Sequence, residues 1–199
     1  MTQQILMIHG GNAFKTHEEY ISYLQNKEFT LKELKFKDWK ANLAEDLGSG
    51  HEVFTPRMPN SQNARYAEWK IWFEKVLSLL DDNLILIGHS LGGICIAKYL
   101  SENTSAKKIK ATFLVAAPFN TAGKHPLVDF IISNDISGLA DQVGQIFLYH
   151  SEDDKVVPYS NFKDYTKALP MAEGKIFIDA GHFHQTHFPQ LVEDIKSLN

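Results

Sequence analysis

The chain has 199 residues, 44% of them hydrophobic, with 20 Lys and Arg against 24 Asp and Glu for a formal net charge of −4. That length points to one domain over 1–199 with a full core, and the mild acidity excludes the basic footprint of a nucleic-acid binder. The single cysteine, Cys95, excludes an internal disulfide framework. Lys107-Lys108-Ile109-Lys110 is a short basic cluster that reads as a solvated loop. The first residues lack the basic segment and long apolar core of a signal peptide, and no apolar run approaches a membrane span. The expectation is a cytoplasmic protein that engages neither membrane nor nucleic acid.

In chain order, Ile5 to Ile8 reads as a buried strand stopped by His9-Gly10-Gly11-Asn12. Glu18 to Asn26 predicts a helix with Tyr20, Ile21 and Leu24 on one face. Asp38 to Leu47 predicts another with Trp39, Leu43, Ala44 and Leu47 aligned, and the mixed-charge run Lys27 to Lys37 between them reads as a solvated face or loop. Glu52 to Thr55 predicts a second strand. A helix is expected from near Ser61, because Tyr66, Trp69, Phe73, Val76, Leu77 and Leu80 recur at spacings of three and four. Leu84 to Ile87 predicts a third strand, followed by a helix to about Ser101, and Ala111 to Ala116 a fourth strand. The connection 118–143 is expected to hold a helix around Leu127 to Ile132. Gln145 to Tyr149, a helix from Pro158 to about Ala168, Lys175 to Ile178 and a last helix from Pro189 complete the pattern. Alternating strands and helices predict an α/β fold: a doubly wound, mostly parallel six-stranded sheet with a short lid, whose ligand site lies at the carboxyl ends of the strands.

The chemistry centres on Gly88-His89-Ser90-Leu91-Gly92, a G-x-S-x-G pattern between an apolar strand and a helix-compatible run. Such a turn exposes a serine hydroxyl above the sheet, with helix N–H groups pointing at the same spot. A serine nucleophile needs a base, and the base needs an orienting carboxylate. In this architecture the acid follows the fifth strand and the histidine the sixth. After Tyr149 come Glu152, Asp153 and Asp154. Asp154, in Asp-x-x-Val-Pro, is favoured, with Asp153 the alternative and Glu152 third. After Ile178 comes Asp179-Ala180-Gly181-His182, which makes His182 the expected base. His184 and His187 extend a His-x-His-x-x-His pattern, but no neighbouring cysteine or acid completes a recognised metal set, and no cofactor is expected. His89 reads as packing beside the turn. Leu91 and either Gly11 or Asn12, with Gly11 preferred, are the expected oxyanion donors. Asn12, Phe14, Phe119 and Phe183, together with Trp39, are candidates for the substrate walls.

With His-Gly-Gly, Gly-His-Ser-Leu-Gly, Asp-Asp-x-Val-Val-Pro and Ala-Gly-His-Phe in this order, the chain resembles the α/β-hydrolase superfamily over about residues 5–198. Within it, the chain is similar to a branch of small serine hydrolases that includes bacterial YdeN-type proteins and an animal retinoblastoma-binding hydrolase. The resemblance implies a compact α/β-hydrolase fold with strands in the order 2-1-3-4-5-6 and a triad of Ser90, Asp154 and His182. Two features depart from the branch. Residues 13 to 50 are longer than expected, which points to a different substrate entrance, and no Leu-x-Cys-x-Glu segment is present, so retinoblastoma binding does not carry over. The expected activity is a serine hydrolase of the carboxylesterase type acting on small-molecule esters or amides through an acyl-enzyme. An acyltransferase, a peptidase and a non-catalytic binding protein on the same scaffold are the rivals. The sequence sets neither the natural substrate nor the oligomeric state.

Overall fold

The structure, a computed structural model, describes residues 2–121, 123 and 126–198. Six strands form one parallel sheet: β1 (Gln3–Ile8), β2 (His51–Phe54), β3 (Leu84–His89), β4 (Ile109–Val115), β5 (Val143–Ser151) and β6 (Glu173–Phe177). Their order is β2-β1-β3-β4-β5-β6, and every neighbouring pair is parallel. The helices are α1 (His17–Asn26), α2 (Leu31–Lys35), α3 (Trp39–Leu47), α4 (Tyr66–Ser78), α5 (Leu91–Glu102), α6 (Ser137–Ala140), α7 (Ser160–Ala168) and α8 (Pro189–Ser197). The doubly wound α/β architecture expected from the strand–helix alternation is present, with the expected strand order.

The two-residue period of a strand sorts the central side chains into two cores. Leu6, Ile8, Leu86, Leu114 and Leu148 face α4, α5 and α7, where Trp69, Phe73, Leu77, Ile94 and Tyr165 are buried. Ile5, Met7, Ile87, Phe113 and Tyr149 face α3 and α8, where Trp39, Leu43, Leu191 and Ile195 are buried. Burying a side chain such as Phe73 or Leu77 contributes about 1.5–3 kcal/mol relative to exposure, so the stripe on α4 is what seats that helix.

Two expectations about local structure need correction, and two gain detail. The helix expected from Ser61 starts at Tyr66 instead. Asn60 to Asn63 closes a turn, with the Asn63 N–H on the Asn60 carbonyl at 2.7 Å, and the Tyr66 N–H is taken by the Asp129 carboxylate at 2.9 Å. Leu127 to Ile132 is not helical: Val128 has φ 54, and the Ile132 N–H is held by the Asn120 side chain at 3.0 Å. The helix of that connection lies later, at Ser137–Ala140. The run Lys27 to Lys37 contains α2, which Thr30 and Glu33 start with a reciprocal capping box. Finally, α1 buries no residue, so Tyr20, Ile21 and Leu24 do not form a core face. Both α1 and α2 lie outside the two cores and wall a surface groove with residues 126–131.

The carboxyl ends of the parallel strands converge on one edge, where β1 and α5 meet most closely. A Cβ on Gly92 would run into the carbonyl oxygen of Ile8 and stand 2.6 Å from that of His9. Gly50 has nothing within 4 Å of the same position. Gly92→Ala is therefore expected to lower stability by about 1–3 kcal/mol or more, and Gly50→Ala to stay within about 0.5 kcal/mol, by urea unfolding of both variants. Equal midpoints would contradict this account of the β1–α5 contact.

Candidate active site

β3 ends at His89 and α5 begins at Leu91, so Ser90 makes the whole turn. Its backbone sits at φ 55 and ψ −123, a region that costs about 1–3 kcal/mol for a residue with a side chain. The turn is held from both sides: the Ser90 N–H donates to the Val115 carbonyl at 2.8 Å, and the Ser90 carbonyl accepts from the Gly93 N–H at 2.8 Å. A Cβ on Gly88 would lie 2.6 Å from both the Gly92 carbonyl oxygen and the Gly93 Cα, which explains glycine at the near end of the motif. Leu91 is the first residue of α5, where a helix leaves its N–H groups without intrahelical partners.

Beside Ser90 lies a cavity of about 30 Å³. Ser90 and Leu91 line it from the elbow, Gly11 and Asn12 from the turn after β1, and Leu127, Val156 and Val157 from the loops after β4 and β5. The Asn12 N–H is committed to the Ser61 carbonyl at 2.8 Å. Of the two candidate donors in this turn, that leaves Gly11. A Cβ on Gly11 would stand 2.5 Å from the Ser61 oxygen, so the turn closes this tightly only with glycine.

After β5, the Asp154 side chain is fully buried. Its Oδ1 accepts the N–H groups of Val156 at 2.8 Å and Val157 at 3.0 Å, and its Oδ2 accepts from His182 Nδ1 at 2.7 Å. With Nδ1 donating, Nε2 of His182 is left as an acceptor. Asp153 does something different. Its Oδ1 takes the Ser151 hydroxyl at 2.5 Å and the Gly181 N–H at 2.8 Å, while the Ser151 Oγ accepts the Ala180 N–H at 3.0 Å. The Ser151 hydroxyl and then the Gly181 N–H hold the Asp153 carboxyl below the usual carboxylate range. Asp153 thus ties the acid loop to the chain just before His182, and the Glu152 side chain points outward, exposed.

The His182 loop is braced by groups the sequence did not single out for that task. His89 Nε2 donates to the His182 carbonyl at 2.9 Å, so the residue before Ser90 fixes the backbone of the histidine loop. From α3, Trp39 Nε1 donates to the Phe183 carbonyl at 2.9 Å, the Trp39 N–H to the Gln185 carbonyl at 2.8 Å, and Asn42 Nδ2 to the Thr186 carbonyl at 3.0 Å. His187 pairs with Asp46 of the same helix at 3.0 Å. On the other flank, Asn161 accepts the Phe119 N–H at 2.7 Å and the Tyr165 hydroxyl donates to the Pro118 carbonyl at 3.0 Å, which fixes the end of β4 against α7.

The structure brings Ser90, Leu91, Gly11 and Asn12 together and pairs Asp154 with His182. The aromatic wall candidates separate. Phe14 lines the groove beneath α1, whereas Phe119, Phe183 and Trp39 are core residues. Phe183 is fully buried at φ 53 among Phe177 and Phe188, and Phe119 packs on Tyr165. Each packs into a core: Trp39 and Phe183 against Phe188, and Phe119 against Tyr165 of α7. His184 stands beside the His182 and His89 rings, and among the described residues no group of three His, Cys, Asp or Glu is placed to hold a metal ion. The positioning residues His89, Ser151, Asp153 and Asn161 had one usable sequence signal, their place next to the motif residues.

Burial, reinforced for His89 by Lys40 and His182, holds His89 well below the ordinary histidine value of 6.5, and burial likewise lowers His150. Both therefore take up a proton at lower pH in the fold than in the unfolded chain. The unfolded chain therefore binds more protons below its own histidine pKa, so stability is full above about pH 6.5 and falls as the pH drops beneath it. Urea unfolding between neutral pH and the onset of carboxylate titration is expected to show that decline, with a shallower slope in His150→Gln. A slope identical to wild type would contradict the burial assignment.

A serine hydrolase family model matches residues 31–192. The chain is 26% identical to serine hydrolase RBBP9 of Rattus norvegicus over 159 residues, which is 75% of this chain and 78% of the relative. It is 23% identical to YdeN of Bacillus subtilis over 185 residues, 92% of this chain and 87% of the relative. The crystal structure of the B. subtilis ydeN gene product superposes with a TM-score of 0.71 at 20% identity, covering 99% of this chain and 98% of that one. A meta-cleavage product hydrolase from Pseudomonas fluorescens matches with a TM-score of 0.66 at 14% identity, covering 99% of this chain and 92% of that one. The strand order, the serine elbow between β3 and α5, and these matches together place the chain in the serine hydrolase family, on the α/β-hydrolase fold.

Proposed function

We infer that the protein is a carboxylesterase working through Ser90, His182 and Asp154 on small-molecule esters, with amides of the same acyl groups as slower substrates. The observation that carries this reading is the pairing of a fully buried carboxylate, Asp154, with Nδ1 of His182 at 2.7 Å, on the loops that flank the strained Ser90 turn. An aspartate so placed fixes the ring tautomer and stabilises the imidazolium formed during turnover.

The chemistry runs in two halves. The Ser90 oxygen bonds to the acyl carbon as its proton passes to His182 Nε2, and the carbonyl π pair moves onto oxygen. The Leu91 and Gly11 N–H groups hold that oxyanion. Collapse breaks the bond to the leaving alkoxide, which takes the proton from Nε2 and departs as the alcohol. Water then attacks the acyl-Ser90 ester, giving its proton to Nε2. The second collapse releases the carboxylic acid and returns the proton to Ser90. Each step uses groups of this chain and water alone.

A fluorophosphonate probe is expected to label the wild-type protein and to leave Ser90→Ala unlabelled. Asp154→Asn is expected to lower kcat for an activated ester by about 10⁴-fold. Asp153→Asn keeps an oxygen acceptor for the Gly181 N–H and is expected to cost far less. Labelling that survives Ser90→Ala would move the nucleophile elsewhere, and a larger loss from Asp153→Asn would exchange the two acids.

A further inference from the structure

We propose that Leu127 is the specificity-determining residue for acyl length: it closes a pocket at Ser90 that admits short, uncharged acyl groups and shuts off a wide groove behind it. The proposal rests on the esterase reading and narrows it to a substrate class.

The cavity at Ser90 measures about 30 Å³, room for about two water-sized groups. It lies beside Leu91 and Gly11, the side on which the acyl oxygen would be held. His182 is not among its walls. A leaving alcohol must take its proton from His182 Nε2, so the alcohol departs outside the cavity and the acyl chain is the part that enters. Pro118, Leu127, Val156 and Val157 give that chain apolar contact, and among the described residues no ionised side chain lines the cavity. An acetyl or propanoyl group fits this space and chemistry, and a long or charged acyl group does not.

Behind the wall the geometry changes scale. A groove of about 1380 Å³ runs between α1, α2 and residues 126–131, with Phe14, Tyr23, Val128 and Ile131 as its apolar lining and the charged side chains of Glu18, Glu19 and Glu33 on the α1 and α2 walls. Pro126 and Leu127 line both spaces. Leu127 carries the larger side chain of the two and is buried in the core beside α4 and α5, so it stands as the partition. The segment that bears it is fastened on several sides. The Asp129 carboxylate accepts the Tyr66 N–H at 2.9 Å, Phe130 sits edge-on to Tyr66 and Trp69, and Lys98 Nζ donates to the Ile131 carbonyl at 2.7 Å. A wall pinned in this way cannot swing aside for a longer chain without breaking these contacts, whereas trimming the side chain would join cavity to groove.

The test compares kcat/KM for p-nitrophenyl acetate and p-nitrophenyl octanoate in wild type and Leu127→Ala, with fluorophosphonate labelling of each preparation. Wild type is expected to favour acetate. Leu127→Ala is expected to raise the octanoate-to-acetate ratio by about tenfold or more, the scale of one or two methylene groups in a hydrophobic pocket. If thermal unfolding shows that Leu127→Ala does not fold, Leu127→Val gives the same ratio test with a smaller cavity. Labelled protein with an unchanged ratio, or a wild type that prefers octanoate, overturns the assignment and leaves the nucleophile standing. Unlabelled wild-type protein removes the esterase reading and this inference with it.

Discussion

Everything at the site depends on how closely β1, β3 and α5 approach one another around Ser90. The backbone of α5 passes the ends of two strands at a separation that leaves no room for a Cβ at Gly88 or Gly92. That approach is what lets one residue reverse the chain, and it forces Ser90 to φ 55, a conformation a serine would not otherwise adopt. The strain is held by burial: Leu91 to Ala97 are all buried, and the strand beneath them is buried on both faces. Loosening the packing would relax the turn, and with it the direction of the Ser90 hydroxyl and of the Leu91 N–H.

The histidine side of the site is positioned by a different means, a set of hydrogen bonds from three parts of the fold. The elbow contributes His89, the acid loop contributes Asp153 and Ser151, and α3 contributes Trp39 and Asn42. Hydrogen bonds to an ionised group each contribute about 1.5–3 kcal/mol, and Asp154 collects two from backbone N–H groups before it meets His182. The carboxylate is thus fixed by its own loop, and the imidazole is fixed by the carboxylate and by its main chain. This explains why residues 38–47, which the sequence suggests as part of a substrate entrance, pack as a buttress: α3 covers the second core and grips the 183–187 backbone.

The strands and the elbow were legible because they rest on strong local signals, whereas the strand order followed from the family resemblance. Leu84 to Ile87 is apolar without interruption, and the glycines at 88 and 92 have one physical use at that spacing. Asp154 could be favoured over Asp153 from the short turn to Pro158, yet the task of Asp153 could not be read, because its partner Gly181 is 28 residues away in sequence. The packing of the aromatic candidates depends on equally remote contacts. Trp39, Phe119 and Phe183 look alike as apolar side chains near a motif, and contacts from Phe188, just before α8, and from Tyr165 of α7 seat them in the cores. The local pattern at Leu127 suggests a helix, which hides its place between two spaces. A left-handed Val128 and remote anchors at Asn120 and Tyr66 set that segment, and no local propensity encodes them.

The central claim is that Ser90 carries the acyl group between the two halves of the reaction. Mixing the wild-type protein with a short-chain activated ester, quenching in acid within one turnover and mapping the digest by mass spectrometry tests it directly. The account predicts a mass gain of one acyl group on the peptide containing Ser90, lost on longer incubation as water completes the cycle. Turnover of the ester with that peptide unmodified, or the acyl group on another residue, would contradict it.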